Sequence, residues 1–264
     1  MNEAIKDRLG GEAYSVPWLE DIAFFQFGDR PLFFSKDLEI RNNLTDSFGK
    51  CAESKEIKVV VLKGFPEKVG SQEYDEFYRV AKEGRNHLDI HRMLNVFNQL
   101  ILTIARLDKF VIFVESGRVI SQFFNVSLVC DYRIIGDNSV IEKEYLKHGL
   151  ISKGGLALHL SRLMGRARAL QLMLDEDDIS AELALELGLV DEVVTVGELD
   201  KATWGATRLY AGKPLVTVSR TKRLLGYDLS TLSDYLDYEN SEIVKILDKA
   251  LSSRGAENGT GRQA

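Results

Sequence analysis

The chain of 264 residues is short of cysteine, of basic excess and of long apolar runs. Its two cysteines, Cys51 and Cys130, lie far apart, each in an apolar neighbourhood. Two thiols so placed make neither a metal-ligand set nor a disulfide framework, and both are expected as buried free thiols. The formal net charge is −6 with acids and bases interspersed, so the basic face of a nucleic-acid binder is missing. No apolar run approaches the ~20 residues that a membrane-spanning helix needs. Met1 to Gly11 carries Glu3, Lys6, Asp7 and Arg8 around no apolar centre, unlike a signal peptide. A cytoplasmic protein with neither nucleic acid nor membrane as partner is expected.

What is present alternates. Ile22–Phe27 (IAFFQF), Lys58–Lys63 (KVVVLK) and Phe110–Val114 (FVIFV) are apolar, β-branched or aromatic runs closed by glycine or proline signals, which predicts buried strands. Between them Leu38, Ile40, Leu44 and Phe48 fall on one helical face, and helices are predicted over Ser71–Glu83 and Leu88–Leu107. Further along, a buried helix is expected over Ser121–Cys130 and strands over Tyr132–Ile135 and Val190–Val194. Helices are expected over Gly154–Met164, Arg166–Asp175 and Ser180–Leu187, the last with Ser180 as N-cap. From Leu199 onward only helical patterns appear. The last of them, about Ser230–Leu251, is highly charged and is expected to serve as an oligomer contact, having no face of its own to bury on the core. Strands alternating with helices and then helices alone make an α/β core with a helical extension.

Several short segments then fall in a fixed order. They are Val129-Cys130-Asp131-Tyr132-Arg133-Ile134, then Gly149, Leu160-Ser161-Arg162-Leu163-Met164-Gly165 and Ala167-Arg168-Ala169-Leu170. Ile179-Ser180-Ala181 with Ala184, Gly188-Leu189-Val190, Pro214 and Lys222-Arg223-Leu224-Leu225 complete the set. Each is weak alone, but in register from about residue 20 to 225 they resemble the crotonase (enoyl-CoA hydratase/isomerase) superfamily. The resemblance implies a crotonase-type spiral of strand–strand–helix turns over 1–200 and a helical lid and oligomerisation region over 201–252, while 253–264, with no apolar residue beyond alanine, is expected as a disordered tail. It also implies a homotrimer or dimer of trimers. The ligand implied is an acyl-CoA or acyl-carrier thioester, with coenzyme A as part of the substrate and no cofactor bound for catalysis.

The resemblance also locates a site. The family aims two backbone N–H groups at the thioester oxygen, an oxyanion hole. Here the first donor falls on Val69 beside Gly70, in Lys68-Val69-Gly70-Ser71-Gln72-Glu73. The second falls on Gln122, in Ser121-Gln122-Phe123, where the family carries three glycines that allow close approach. Phe123 and Phe124 either pack into the core or fill part of the acyl pocket. The family's first catalytic glutamate is replaced by Asn125 and its second by Tyr145, while a slip of one residue makes Glu144 the functional carboxylate. Asparagine cannot shuttle protons, whereas tyrosine can act as an acid or orient a substrate.

His148 is a candidate base, Lys153 a candidate in the turn before the Gly154 helix, and Glu115 a strand-end charge. Lys222, with Arg223, is the candidate for coenzyme A phosphates, and His87, His91 and Lys82 lie in the variable helical segment. Gly70-Ser71-Gln72-Glu73 and Tyr145-Leu146-Lys147-His148-Gly149-Leu150 also resemble the crotonase-like decarboxylases of polyketide β-branching cassettes. Those keep the glycine run and a C-terminal histidine, and this chain has no histidine after His159. Two readings therefore stay open. One is a thioester-processing enzyme that stabilises an enolate, with decarboxylation or isomerisation favoured over hydration. The other is a catalytically silent crotonase fold that binds a thioester or acts as an assembly subunit.

Overall fold

The computed structural model describes residues 6–11, 14–27, 38–64, 74–75, 78–79, 87–226 and 229–260. Strands β1 (Lys6–Gly11), β2 (Tyr14–Leu19) and β3 (Ile22–Phe27) form an antiparallel meander. Helix α1 (Leu38–Glu53) leads to β4 (Val59–Lys63), and α2 (His87–Ala105) leads to β5 (Phe110–Glu115). Next come β6 (Arg118–Ile120), the four-residue α3 (Ser121–Phe124) and a 3₁₀ turn over Asn125–Val129. Strands β7 (Tyr132–Gly136) and β8 (Val140–Glu142) precede α4 (Glu144–Lys147), α5 (Leu156–Met164) and α6 (Arg166–Leu174). Strand β9 (Ile179–Ser180), α7 (Ala181–Glu186) and β10 (Glu192–Val194) follow, then α8 (Leu199–Ala211), α9 (Leu215–Leu225) and α10 (Leu229–Thr260).

The large sheet runs β1-β2-β3-β4-β5-β7-β10, parallel from β3 onward. The small sheet runs β6-β8-β9. Successive turns of chain place one strand in each sheet, β5 then β6 and β7 then β8, so the path is the expected spiral of strand–strand–helix turns.

Side-chain alternation explains why the central strands read as continuous apolar runs, since both faces are covered. Ala23, Phe25, Val60, Leu62, Val111 and Phe113 face the main core, where Phe25 stacks on Phe48 of α1 with ring centroids 4.0 Å apart. Ile22, Val59, Val61, Ile112 and Val114 face the other way, under α8, with Trp204 and Tyr210 packed against them. Ser180 caps α7, its Oγ accepting from the Leu183 N–H at 3.2 Å.

Two expectations change. The stretch 121–130 is not one helix: after one α turn it tightens into 3₁₀, and Cys130 is extended. The Asn125 side chain is tied to the turn before α5, and Asp131 Oδ2 accepts from the Val111 N–H, so the chain is drawn back beside β5 at once. Helix α10 does bury a face on its own chain. Leu232, Leu236, Ile243 and Leu247 lie on one side of it and join the main core. Asp237 and Asn240 bond to Asn98 and Asn95 of α2 at 3.1 Å each. Its helical backbone continues to Thr260, beyond residue 252. Among the described residues no helix is long and apolar enough to cross a membrane.

Candidate functional site

The site is built at the start of α3. Ile120, extended and apolar, precedes the helix and offers no side-chain cap, so the first N–H groups need another acceptor. Glu144, the first residue of α4, supplies it. Its Oε2 accepts from the Ser121 N–H at 2.8 Å, and its Oε1 accepts from the Ser121 hydroxyl at 3.1 Å and the Gln122 N–H at 3.2 Å. The carboxyl group thus occupies the backbone donor expected to receive a thioester oxygen. It is 1% exposed. Burial raises its pKa to about 7, against the lowering effect of the three hydrogen bonds and of its own backbone. A group poised there can hold or release a proton near neutral pH.

The replaced glycines and glutamate are all inside. The Gln122 amide nitrogen donates to Met93 Sδ at 3.4 Å, while Oε1 has no partner among the described residues. Phe123 stacks on Phe97 of α2 with centroids 5.7 Å apart, and Phe124 meets Phe113 of β5 edge-on at 6.1 Å. Both rings are therefore packed against core aromatics. Asn125 donates to Ser152 Oγ at 3.0 Å and to the Lys153 carbonyl at 2.7 Å, leaving Oδ1 unpartnered among the described residues.

Glu144 and Tyr145 point apart, as neighbours on a helix must. The Tyr145 hydroxyl donates to the Met173 carbonyl at 2.8 Å, and burial pushes its pKa well up. His148, one turn after Glu144, meets Asp75 with Nε2 2.7 Å from Oδ1. Its ring lies 5.5 and 5.9 Å from the rings of Tyr74 and Tyr78. Those tyrosines are buried with their hydroxyls bonded together; burial raises both pKa values, and the charge of nearby Glu144 adds to it. Sequence reading missed Asp75, Tyr74 and Tyr78 as site neighbours. The Tyr74/Tyr78 spacing of one helical turn was the available signal.

Other candidates sit elsewhere. Lys153 is buried, its ammonium 3.1 Å from Glu239 Oε2 of α10 and bonded to Asn98 Oδ1 of α2. Glu239 also accepts from the Gly154 and Gly155 N–H groups at 2.8 and 3.0 Å. Burial lowers the Lys153 pKa, with Glu239 opposing. Lys222 bonds Asp131 and donates to the Lys109 carbonyl at 2.7 Å, and Arg223 pairs with Asp108. Lys109 and Asp131 immediately precede β5 and β7, so Lys222 lies at the N-terminal end of these parallel strands.

Glu115 is not a solvated strand end: it is buried, accepts from the Ser116 N–H at 2.9 Å, and lies where a Cβ on Gly64 would be 1.9 Å from its Oε2. His91 is exposed. Val69, Gly70, Lys82 and the His87 side chain lie outside the described residues. Among the described residues no group of three His, Cys, Asp or Glu side chains could hold a metal ion.

A family model described as enoyl-CoA hydratase/isomerase matches residues 21–257. The chain is 30% identical over 151 residues to the Mycobacterium tuberculosis protein named "Probable enoyl-CoA hydratase EchA12", covering 56% of this chain and 53% of that one. It is also 30% identical over 112 residues to the trans-2-decenoyl-[acyl-carrier-protein] isomerase of Streptococcus mutans, covering 42% and 43%. The match thus spans about half the length of these curated relatives. Among solved structures, an enoyl-CoA hydratase from Bacillus halodurans superposes with a TM-score of 0.77 at 19% identity, over 92% of this chain and 98% of that one.

Proposed function

The chain belongs to the enoyl-CoA hydratase/isomerase family, and on that premise we propose that it isomerises an unsaturated acyl-CoA or acyl-carrier thioester with Glu144 as its single acid–base group. The observation that carries this reading is the Glu144 carboxyl group, buried and set on the Ser121 and Gln122 N–H groups. For a 3-enoyl thioester, the carboxylate removes a proton from C2, and the electron pair passes into a dienolate. The thioester oxygen takes the place of Glu144 Oε1 on the Gln122 N–H, while Ser121 still holds Oε2. The same carboxyl returns the proton to C4, giving the 2-enoyl thioester without water or a second carboxylate.

Hydration by two glutamates is disfavoured because Asn125 stands where the other would be, with its amide bonded to Ser152 and Lys153. Decarboxylation would bring a substrate carboxylate against the Glu144 carboxylate, a like-charge pair in a buried site. The name of the Streptococcus mutans isomerase is consistent with the reading and with a carrier-bound substrate. Self-association as a trimer or dimer of trimers is supported by the exposed Leu163, Leu170 and Leu174 on α5 and α6 and by Leu224 and Leu225 on α9.

The test is conversion of 3-hexenoyl to 2-hexenoyl thioester, on coenzyme A and on a carrier protein, resolved by chromatography. Glu144→Gln keeps the shape but cannot carry the proton, and a loss of about 10²–10⁴-fold is expected. Crotonyl-CoA hydration that depends on Glu144 would overturn isomerisation. Binding without turnover across all these thioesters would establish the second reading, a silent thioester-binding fold, which the occupied Gln122 N–H favours.

A further inference from the structure

The face of the large sheet turned away from α3 is partly hollow. Phe25, Leu62 and Phe113 point into the main core with Phe123 and Phe124, and the residues between them point toward α8. Register sets Phe24 beside Val61 and, one row on, Gln26 beside Lys63 and Lys63 beside Val114. Asp200 and Trp204, one turn apart on α8, stand over these two rows. The space left is a cavity of about 180 Å³, walled by Phe24, Val61, Val114 and Trp204, with the Phe24 and Trp204 rings meeting edge-on at 5.5 Å. An apolar cavity of ~150 Å³ already takes a benzene ring, so a phenyl group fits here.

The mouth of the cavity carries charge of both signs. Lys63 Nζ is 3.8 Å from Asp200 Oδ1, and the two side chains are 48% and 75% exposed. A contact so long and so well solvated holds little energy, so a ligand separates the two ions at small cost. The Gln26 side chain lines the mouth beside Lys63 and has no hydrogen bond to another described residue. An apolar body closed by a few placed polar groups is the form of a small-molecule site. We propose that this cavity binds a free α-amino acid with an apolar side chain of phenylalanine size. Its ring enters between Phe24 and Trp204, Lys63 and Gln26 donate to its carboxylate, and its ammonium donates to Asp200. The two charged groups of such a molecule hang on one carbon, a spacing that suits the neighbouring Nζ and Oδ1. A fatty acid of the same size would meet Lys63 but set its carboxylate against Asp200. The site lies across the sheet from Glu144 and does not depend on the thioester reading.

Calorimetry on the whole chain with L-phenylalanine, 3-phenylpropionate and phenethylamine tests it, since the last two keep the ring and lose the ammonium or the carboxylate. L-Phenylalanine is expected to bind about tenfold tighter than either, the worth of one hydrogen bond to a charged group. In Lys63→Met the preference over phenethylamine is expected to vanish, and in Asp200→Asn the preference over 3-phenylpropionate. Equal binding of all three by the unaltered protein overturns the proposal, leaving an apolar pocket without selectivity. Tighter binding of 3-phenylpropionate overturns it in favour of a fatty acid. No binding of L-phenylalanine at millimolar concentration overturns it outright, and a preference that survives both substitutions places the ligand elsewhere. The three-ligand comparison in the unaltered protein decides even if a variant does not fold.

Discussion

Removing one partner of the Lys153–Glu239 pair should be among the most damaging single changes in the molecule. The two side chains are 1% and 3% exposed, with the ammonium 3.1 Å from the carboxylate. Breaking such a pair costs about 3–5 kcal/mol, because the survivor is a buried charge without compensation. The two halves are not equivalent. In Lys153→Met, Glu239 keeps the Gly154 and Gly155 N–H groups, so the cost should sit near the lower end. In Glu239→Leu, Lys153 keeps only Asn98 among the described residues, and the N–H groups of Gly154 and Gly155 before α5 lose their acceptor, so the cost should reach the upper end. At about 2–4 °C per kcal/mol for a chain near this size, the melting temperature should fall by roughly 10 °C or more.

The double variant Lys153→Met with Glu239→Leu should recover part of the loss, since two apolar groups replace two charges. The pH dependence adds a signature. Burial holds the Lys153 pKa below its ordinary value, so its penalty is present below the folded-state pKa and lifts as pH rises toward the unfolded value, ~10.4. Urea unfolding across pH for the three variants measures all of this. A cost below about 1 kcal/mol for Glu239→Leu, or one no larger than that of Lys153→Met, would refute the assignment of a paired buried charge.

Glu144 makes the opposite contribution on the acid side. With its pKa raised from 4.5 to about 7, the native state binds the proton more tightly than the unfolded chain, so stability should fall by about 3 kcal/mol as pH rises from 4.5 through 7. Glu144→Gln should flatten that slope in urea titrations at pH 5 and pH 8. Lys222→Met should destabilise by about 1–3 kcal/mol through loss of the Asp131 and Lys109 contacts. It should leave the Michaelis constant for a thioester unchanged, and a rise of tenfold would instead support the phosphate role expected from sequence.

The parallel strands and long helices were legible because their apolar positions follow periods of two and 3.6, which burial on known faces enforces. Strands β6, β8 and β9 were not, since two or three residues carry no period, and β1 (KDRLGG) has one large apolar residue and a register shift between Asp7 and Leu9. In the site, the difficulty was a single residue. Counting back from Gly149 selected Tyr145, whereas the side chain that reaches α3 is Glu144. Adjacent residues on a helix point about 100° apart, so a one-residue offset changes which group enters the site. At Lys222 the sequence shows a free cation, whereas the structure pairs it with Asp131, 91 residues away. A long, though shorter, separation in sequence likewise hid Tyr74 and Tyr78 from Glu144 and His148.

The clasp between α10 and the rest of the chain bears on the order in which the protein can assemble. Asn98 meets Asp237 across 139 residues, Asn95 meets Asn240 across 145, and Lys153 meets Glu239 across 86. Contacts of such separation form late, since the intervening loop must be closed before they reward it. A nascent chain that has emerged only as far as α9 has its strands in hand but still holds Lys153 without a counterion. Its core cannot seal until the last helix arrives. Maturation of the interior is therefore coupled to completion of synthesis, and the unsealed intermediate is the species on which chaperones or proteases would act.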